Sequence, residues 1–243
     1  MLFRTQSRCL ALVLLVAAVV MGGCTWLYSS QPDTDAAAAV PAAEVIEPAP
    51  PPEPEPRSFT MVAVGDIMLD RTVGKRIETN GAPSILEKVR GDLRGADITF
   101  ANLECPLATE GPHAPSDCIF RAHPRGVDVL LDGGIDVVTL ANNHTFDAGT
   151  SALMDTLDHL EKAGIGYCGV ARERDSAWEP CLVEANGVIV GFVGCTDLSF
   201  SHGGWTKVDT ELTEFADHLR AAQEKCDLLV VTLSGRGDKD CAA

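Results

Sequence analysis

Carboxylates, amides and an imidazole occur in three short clusters whose composition suits metal and phosphoryl chemistry. The clusters are Gly65-Asp66-Ile67-Met68-Leu69-Asp70, Asn102-Leu103-Glu104 and Asn142-Asn143-His144-Thr145-Phe146-Asp147. Asp66, Glu104, Asn143 and His144 together form a mixed oxygen and nitrogen donor set. Such a set suits manganese, iron, zinc or magnesium rather than copper(I) or an iron–sulfur cluster. A carboxylate between two cations bridges them, and a two-metal site clamps a phosphoryl group and activates water. Each cluster alone has a plainer reading. Gly65-Asp66 is turn and helix-cap chemistry, Asn142-Asn143 is turn chemistry, and a single histidine after a strand is a hydrogen-bonded structural residue. Asn143-His144-Thr145 also spells a glycosylation sequon, which a bacterial export signal makes irrelevant. Repetition after three successive apolar runs is what points to one shared site.

Those apolar runs are the elements that must position the clusters. Phe59 to Val64 reads as a strand ending in Gly65-Asp66. Ser84 to Arg94 has helical spacing. Ile98 to Ala101 is a strand ending in Asn102-Leu103-Glu104, Val127 to Leu131 a short helix, and Asp136 to Ala141 a strand ending in Asn142-Asn143-His144. In Thr150 to Ala163, Leu153, Met154, Leu157 and Leu160 share one helical face, and Gly164 supplies the stop. Cys181 to Glu184 and Val188 to Cys195 read as a hairpin around Asn186-Gly187. Leu212 to Ala222 is a helix and Leu228 to Leu233 a last strand. Strands alternating with helices predict an α/β domain. In open α/β sheets ligands bind beyond the carboxyl ends of the strands, where all three clusters fall if the strands are parallel and adjacent.

The segment before residue 58 has a different character. Met1 to Arg8 carries Arg4 and Arg8 and no acid, and Leu10 to Met21 is an uninterrupted apolar run. A basic start, a short apolar run and small residues describe an export signal, and the run falls short of the ~20 residues of a membrane span. Met21-Gly22-Gly23-Cys24 resembles a lipobox, which makes residues 1–23 a signal peptide and Cys24 the lipidated residue of a membrane-anchored lipoprotein. Simple secretion and a retained N-terminal anchor are the alternatives; all three place the mature domain outside the cytoplasm. Residues 30–57 hold eight of the 14 prolines, so 24–57 is expected to be a semi-stiff Pro/Ala/Glu-rich tether. The formal net charge is -16, and 29 acids against 16 bases lie beyond residue 57, so the domain itself is acidic. That balance excludes a basic nucleic-acid-binding face, and a hydrophobic content of 46% excludes a wholly disordered chain.

The three clusters in their full context, Gly65-Asp66-Ile67-Met68-Leu69-Asp70, Ala101-Asn102-Leu103-Glu104-Cys105-Pro106-Leu107 and Ala141-Asn142-Asn143-His144-Thr145-Phe146-Asp147-Ala148-Gly149, resemble the bacterial capsule synthesis CapA family. The family is also called PgsA or the poly-γ-glutamate capsule family. The resemblance implies a calcineurin-like metallophosphatase fold, a layered α/β sandwich with a mixed sheet, over residues 58–233. It implies a divalent metal held by Asp66, Glu104 and Asn143. His144 and Asp147 would then be the catalytic pair, His144 beside the substrate as acid or electrostatic helper, with Asn102 and Asn142 in support. As partners it implies the capsule polymer or the membrane proteins that make or export it, and the membrane itself through the lipid anchor.

The family pattern continues after its corresponding strand with a His-Trp-Gly-x-Glu segment and later a Gly-His-x-Pro-His segment. Here Leu233 is followed by Ser234-Gly235-Arg236-Gly237-Asp238-Lys239-Asp240, and the histidines after residue 159 are His202 and His218. By this comparison the sandwich is expected to be incomplete at its C-terminus, and 234–243 to be an atypical tail. Residues 234–240 resemble the C-terminal signature of the tryptophan synthase beta chain. That family's Schiff-base lysine segment and phosphate cup are not in this chain, so no pyridoxal phosphate is expected. Seven cysteines remain after Cys9 and Cys24, with no Cys-x-x-Cys pair to form a zinc knuckle. A Cys105–Cys118 bridge suits an oxidising compartment, and buried thiols suit Cys195 and Cys226. Three functional readings follow. One is a metal-dependent hydrolase, one a non-catalytic surface-tethered accessory that binds polymer or membrane partners, and one an inactive truncated family member.

Overall fold

The computed structural model describes residues 57–113, 119–173, 176–197 and 212–235. The expected signal peptide, lipidated Cys24, tether and most of the 234–243 tail lie outside the described residues. Among the described residues, no helix is long and apolar enough to cross a membrane.

Two sheets face each other. The first is fully parallel in the order β1 (Met61–Ile67), β2 (Ile98–Leu103), β3 (Val137–Thr139), β4 (Gly166–Cys168). The second contains β5 (Cys181–Ala185), β6 (Val188–Thr196) and β7 (Leu228–Ser234), with β5–β6 antiparallel and β6–β7 parallel. Alternation along β2 explains the layering. Ile98 and Phe100 point to the second sheet, while Ala101 and Leu103 point to the helices. Phe100 stacks on Phe192 of β6, with ring centroids 5.3 Å apart. On the far side of the first sheet lie α1 (Arg71–Asn80), α2 (Arg90–Arg94), α3 (Val127–Gly133) and α4 (Gly149–Ala163), supplying Ile77, Leu93, Leu130 and Leu157 to the main core. The α5 helix (Leu212–Gln223) covers the second sheet through Phe215, Leu219 and Ala222, packed on Val193 and Cys195. The order helix, sheet, sheet, helix is the layered α/β sandwich with a mixed sheet that the sequence leads one to expect.

Most predicted elements stand within two or three residues of their expected ends. The hairpin turns at Asn186 (φ 52°) and Gly187 (φ 75°), the two positive φ angles that an Asn-Gly turn provides. In α4 the buried face is Leu153, Thr156, Leu157 and Leu160, and Met154 only flanks it. Thr156 belongs to that face because its hydroxyl accepts from Leu107 N (2.8 Å) and donates to Ala152 O (2.7 Å). The helix expected over 84–94 is broken into a 3-10 turn at Ala82–Ser84 and the five-residue α2. The α2 helix has no side-chain cap and is held by an Arg90–Asp132 ion pair (2.7 Å) to the end of α3. The last strand runs one residue further than expected, through Ser234. Helix α1 and strand β4 have no counterpart in the sequence reading. Only Ile77 of α1 is buried, with Val73 one turn earlier packed beside it, so its apolar stripe is two residues long.

Both β1 and β7 close their sheets as outer strands. Parallel strands are ordinarily covered on both faces, yet β1 is largely exposed and Leu233 of β7 is 65% exposed. Cys195 is a buried thiol as expected, and Cys226 is half-buried with its Sγ donating to Ala222 O (3.5 Å). Cys105 is a buried free thiol that accepts from Leu69 N (3.3 Å), and burial pushes it up to about 12. Its expected partner Cys118 lies outside the described residues.

Candidate functional site

Parallel pairing of β1, β2 and β3 puts their carboxyl ends at one edge of the first sheet. The register sets Asp66 opposite Asn102, next to an irregularity in β1 between Ala63 and Asp66. A further backbone bond, Glu104 N to Ile67 O at 3.0 Å, holds the two strand ends together past the last paired residues. The loop after β3 then brings residues 142–147 against them.

Asn102 is the centre of the polar cluster. Its Nδ2 donates to Asp66 Oδ1 (2.8 Å) and also to Glu104 Oε2, so one amide joins the two carboxylates. Its Oδ1 accepts from Asn142 Nδ2 (2.9 Å), which fixes the orientation of the amide. Buried Asn142 is saturated. Its amide also donates to Leu103 O (2.9 Å), and its Oδ1 accepts from His144 N (3.0 Å) and Thr145 Oγ1 (3.2 Å). A side chain with every donor and acceptor engaged is a positioning device rather than a ligand, and Asn142 pins the whole 142–147 loop to β2.

His144 is buried, and its Nδ1 lies 2.8 Å from Asp147 Oδ2, which also accepts from Phe120 N (2.7 Å). An ionised carboxylate only accepts, so Asp147 places a proton on Nδ1. The lone pair or second proton of Nε2 then faces Glu104 Oε1 at 3.8 Å. The Phe120 ring packs on the imidazole (centroids 4.3 Å, tilted 46°), and the Arg71 guanidinium lies over Phe120 at 4.5 Å. Glu104 is held above its ordinary value of 4.5, first by burial and then by the negative charge of Asp66, against the opposing Asn102 bond and the His144 charge.

Of the residues expected from sequence, Asp66, Asn102, Glu104, Asn142, His144 and Asp147 form one connected cluster. Asn143 is exposed on the same loop, and its side chain is outside the hydrogen-bonded network among the described residues. Among the described residues, no group of three or more His, Cys, Asp and Glu side chains is placed to hold a metal ion. The chemistry of the cluster still suits a cation. Two carboxylates converge on a neutral amide, and the negative charge of Asp66 adds to burial in raising Glu104. Asp66 and Glu104, with the Asn143 amide oxygen, are the side chains that would hold one. Sequence reasoning missed Phe120, whose main-chain N–H and ring both act on the His144 dyad. It missed Arg71 too. Phe120 lies outside every polar motif, next to the isolated Leu107–Ala122 bridge, and Arg71, the first residue of α1, reaches the site by lying over the Phe120 ring.

Comparison with known proteins places these motifs. The family model for the bacterial capsule synthesis protein PGA_cap matches residues 60–239. The capsule biosynthesis protein CapA of Bacillus anthracis is 28% identical over 198 residues, covering 80% of this chain and 44% of that protein. The PGA biosynthesis protein CapA of Bacillus subtilis is 32% identical over 139 residues, covering 56% and 37%. A probable polyglutamine synthesis accessory protein of Mycobacterium tuberculosis is 27% identical over 175 residues, covering 57% and 46%. The chain thus spans less than half the length of these curated relatives. Among solved structures, a phosphatase from Mycoplasma pneumoniae superposes with a TM-score of 0.45 at 13% identity, over 74% of this chain and 56% of that one.

Proposed function

Because the chain belongs to the bacterial capsule synthesis PGA_cap family, we propose that it acts outside the cytoplasm in capsule or poly-γ-glutamate biosynthesis or export, with a metal-dependent phosphatase-like site at its strand ends. The observation that carries the reading is the joined pair of carboxylates, Asp66 and Glu104, with the Nε2 of an Asp147-oriented histidine 3.8 Å from Glu104. Asp66, Glu104 and Asn143 would hold the metal, which when bound supplies Lewis-acid polarisation of a phosphoryl oxygen and an activated water. His144 would hold or deliver the proton at Nε2 to a leaving oxygen, and Asp147 keeps the ring turned to do so. Asn102 and Asn142 keep the two carboxylates and the histidine loop in register. A lipid anchor at Cys24 would tether the domain near its partners, the capsule polymer or the membrane proteins that make or export it.

Elemental analysis of the purified full chain, incubated with manganese or zinc and desalted, tests the reading beside an Asp66→Ala, His144→Ala double variant. Stoichiometric metal in the wild type that is lost in the folded double variant is expected, followed by chelator-sensitive phosphoester hydrolysis. A folded wild type that retains no metal refutes it. A second reading, a non-catalytic accessory, is favoured by one observation: the Asn102 amide satisfies both carboxylates directly. On that reading polymer or partner binding survives chelation.

A further inference from the structure

We propose that Cys168 and Cys181 form a disulfide that joins the two sheets, made by exchange with an external disulfide that reaches Cys181 first. The two sheets share no strand pairing among the described residues and are held by packing such as the Phe100–Phe192 stack. Cys168 of β4 and Cys181 of β5 meet within that packing. Cys168 belongs to the apolar cluster between the sheets, and Cys181 packs against the same cluster. Both are free thiols in this structure.

Gly166 lets them approach. Alternate residues of a strand share a face, so positions 166 and 168 point the same way from β4. A Cβ on Gly166 would stand 2.5 Å from Cys181 Sγ, so the sulfur occupies the space that any other side chain would fill. Strand positions two apart are separated by about 6.6 Å. Tyr167 N, which lies between them, donates to the Cys181 sulfur. Rotation about χ1 of Cys181 therefore swings its sulfur along β4 towards Cys168. The two thiols already sense each other: Cys168 is held well above the ordinary thiol range, first by burial and then by charge on Cys181.

Unequal access sets the order of events. Cys168 is 2% exposed. Cys181 is half-buried and lines a depression of about 480 Å3 together with Glu161, Tyr167 and Glu179. The two acids disfavour an anionic reagent there, so the disulfide that enters is small and uncharged. The Cys181 thiolate attacks one sulfur of this R–S–S–R, forming a mixed disulfide and expelling the first thiolate. The Cys168 thiolate then attacks the Cys181 sulfur and expels the second. The protons of the two cysteines end on two molecules of R–SH, and the external disulfide is the oxidant. The extracytoplasmic placement proposed above would supply such an oxidant. The exchange is independent of any metal at the strand ends.

The test uses the full chain, reduced, desalted and held in chelator. It is treated with 2-hydroxyethyl disulfide, once folded and once during refolding from urea. Remaining thiols are blocked, and unreduced peptides are mapped with trypsin and a glutamate-specific protease. Arg172 and Arg174 lie between Cys168 and Cys181, and Glu184 between Cys181 and Cys195, so each cysteine falls on its own peptide. A Cys168–Cys181 peptide pair, lighter by two hydrogens than its parts, is expected. The bridge closes a loop of about 13 residues and should raise the melting temperature by roughly 5–10 °C, a gain that dithiothreitol removes. Cys168→Ala should stop at a mercaptoethanol adduct on Cys181. Cys181→Ala, at a half-buried position, should fold and show neither bridge nor gain. Failure of the linked pair to form in either treatment, pairing of Cys181 with Cys195 instead, or a gain that persists in Cys181→Ala overturns the proposal.

Discussion

Asp147 is the most informative residue to perturb, because one of its oxygens does two tasks. Asp147 Oδ2 accepts from His144 Nδ1 at 2.8 Å and from Phe120 N at 2.7 Å, in a half-buried setting. Hydrogen bonds to a charged group contribute about 1.5–3 kcal/mol each, and a buried donor left alone costs about 1–3 kcal/mol. Asp147→Ala removes both bonds and leaves two donors in a buried pocket, so about 3–5 kcal/mol of folding stability should go. Asp147→Asn keeps an oxygen in the same place and loses only the charge, which should cost about 1 kcal/mol. The histidine gives a second readout. With Asp147 present the imidazole proton belongs on Nδ1; without it the proton can move to Nε2, where Glu104 Oε1 waits 3.8 Å away. Urea denaturation measures the first effect, and long-range proton–nitrogen NMR of the His144 ring reads the second. An alanine variant within about 0.5 kcal/mol of wild type, or one whose His144 keeps its proton on Nδ1, would falsify the orienting role.

Three further predictions follow from the packing and the charges. Thr156→Val strips the acceptor from buried Leu107 N and should cost about 1–3 kcal/mol by denaturation; a neutral result would show that water replaces the hydroxyl. Gly169→Ala meets a φ of +88° and places its Cβ 2.5 Å from Ala141 Cβ. It should destabilise by about 2–4 kcal/mol and broaden the NMR signals of the adjacent 142–147 loop; an unperturbed loop would count against the close approach. Glu104 is raised in the folded protein, so the folded state binds its proton more tightly and stability falls as pH climbs from the ordinary value of 4.5 through the folded one. Glu104→Gln has no such titration, so in chelator its melting temperature should gain on wild type as pH rises above the ordinary value of 4.5; a wild type that gains on the variant as pH rises reverses the sign and rejects the assignment.

Much of the scaffold is readable without coordinates. The helix at 149–163 declares itself through its apolar spacing and Gly164, and the 181–196 hairpin through Asn186-Gly187, because these signals are local and the backbone answers to them directly. The polar clusters at 66, 102–104 and 142–147 are legible for a related reason: each follows a short apolar run, and parallel pairing of such runs brings their ends to one edge. Helix α1 is hard to read, since Val73 and Ile77 are the only two large apolar side chains in its ten residues and Gly74 interrupts it.

The sequence alone determines residue types, their order and the alternation of strand and helix, so the identities of Asp66, Glu104, His144 and Asp147 as site candidates need no structure. Tertiary structure decides which of these touch and in what role. It makes Asn102 the link between the two carboxylates and Asn142 a saturated pin, and it sets Asp147 on Nδ1 of His144. It also brings Phe120 and Arg71 to the histidine from a returning loop and from a helix. The Asn102–Glu104 and His144–Asp147 bonds are local, spanning two and three residues, but the bonds from Asn102 to Asp66 and from Asn142 to Asn102 join residues 36 and 40 positions apart. These long-range partnerships depend on distances of a few tenths of an ångström, set by packing of the whole sandwich rather than by any local pattern of residues.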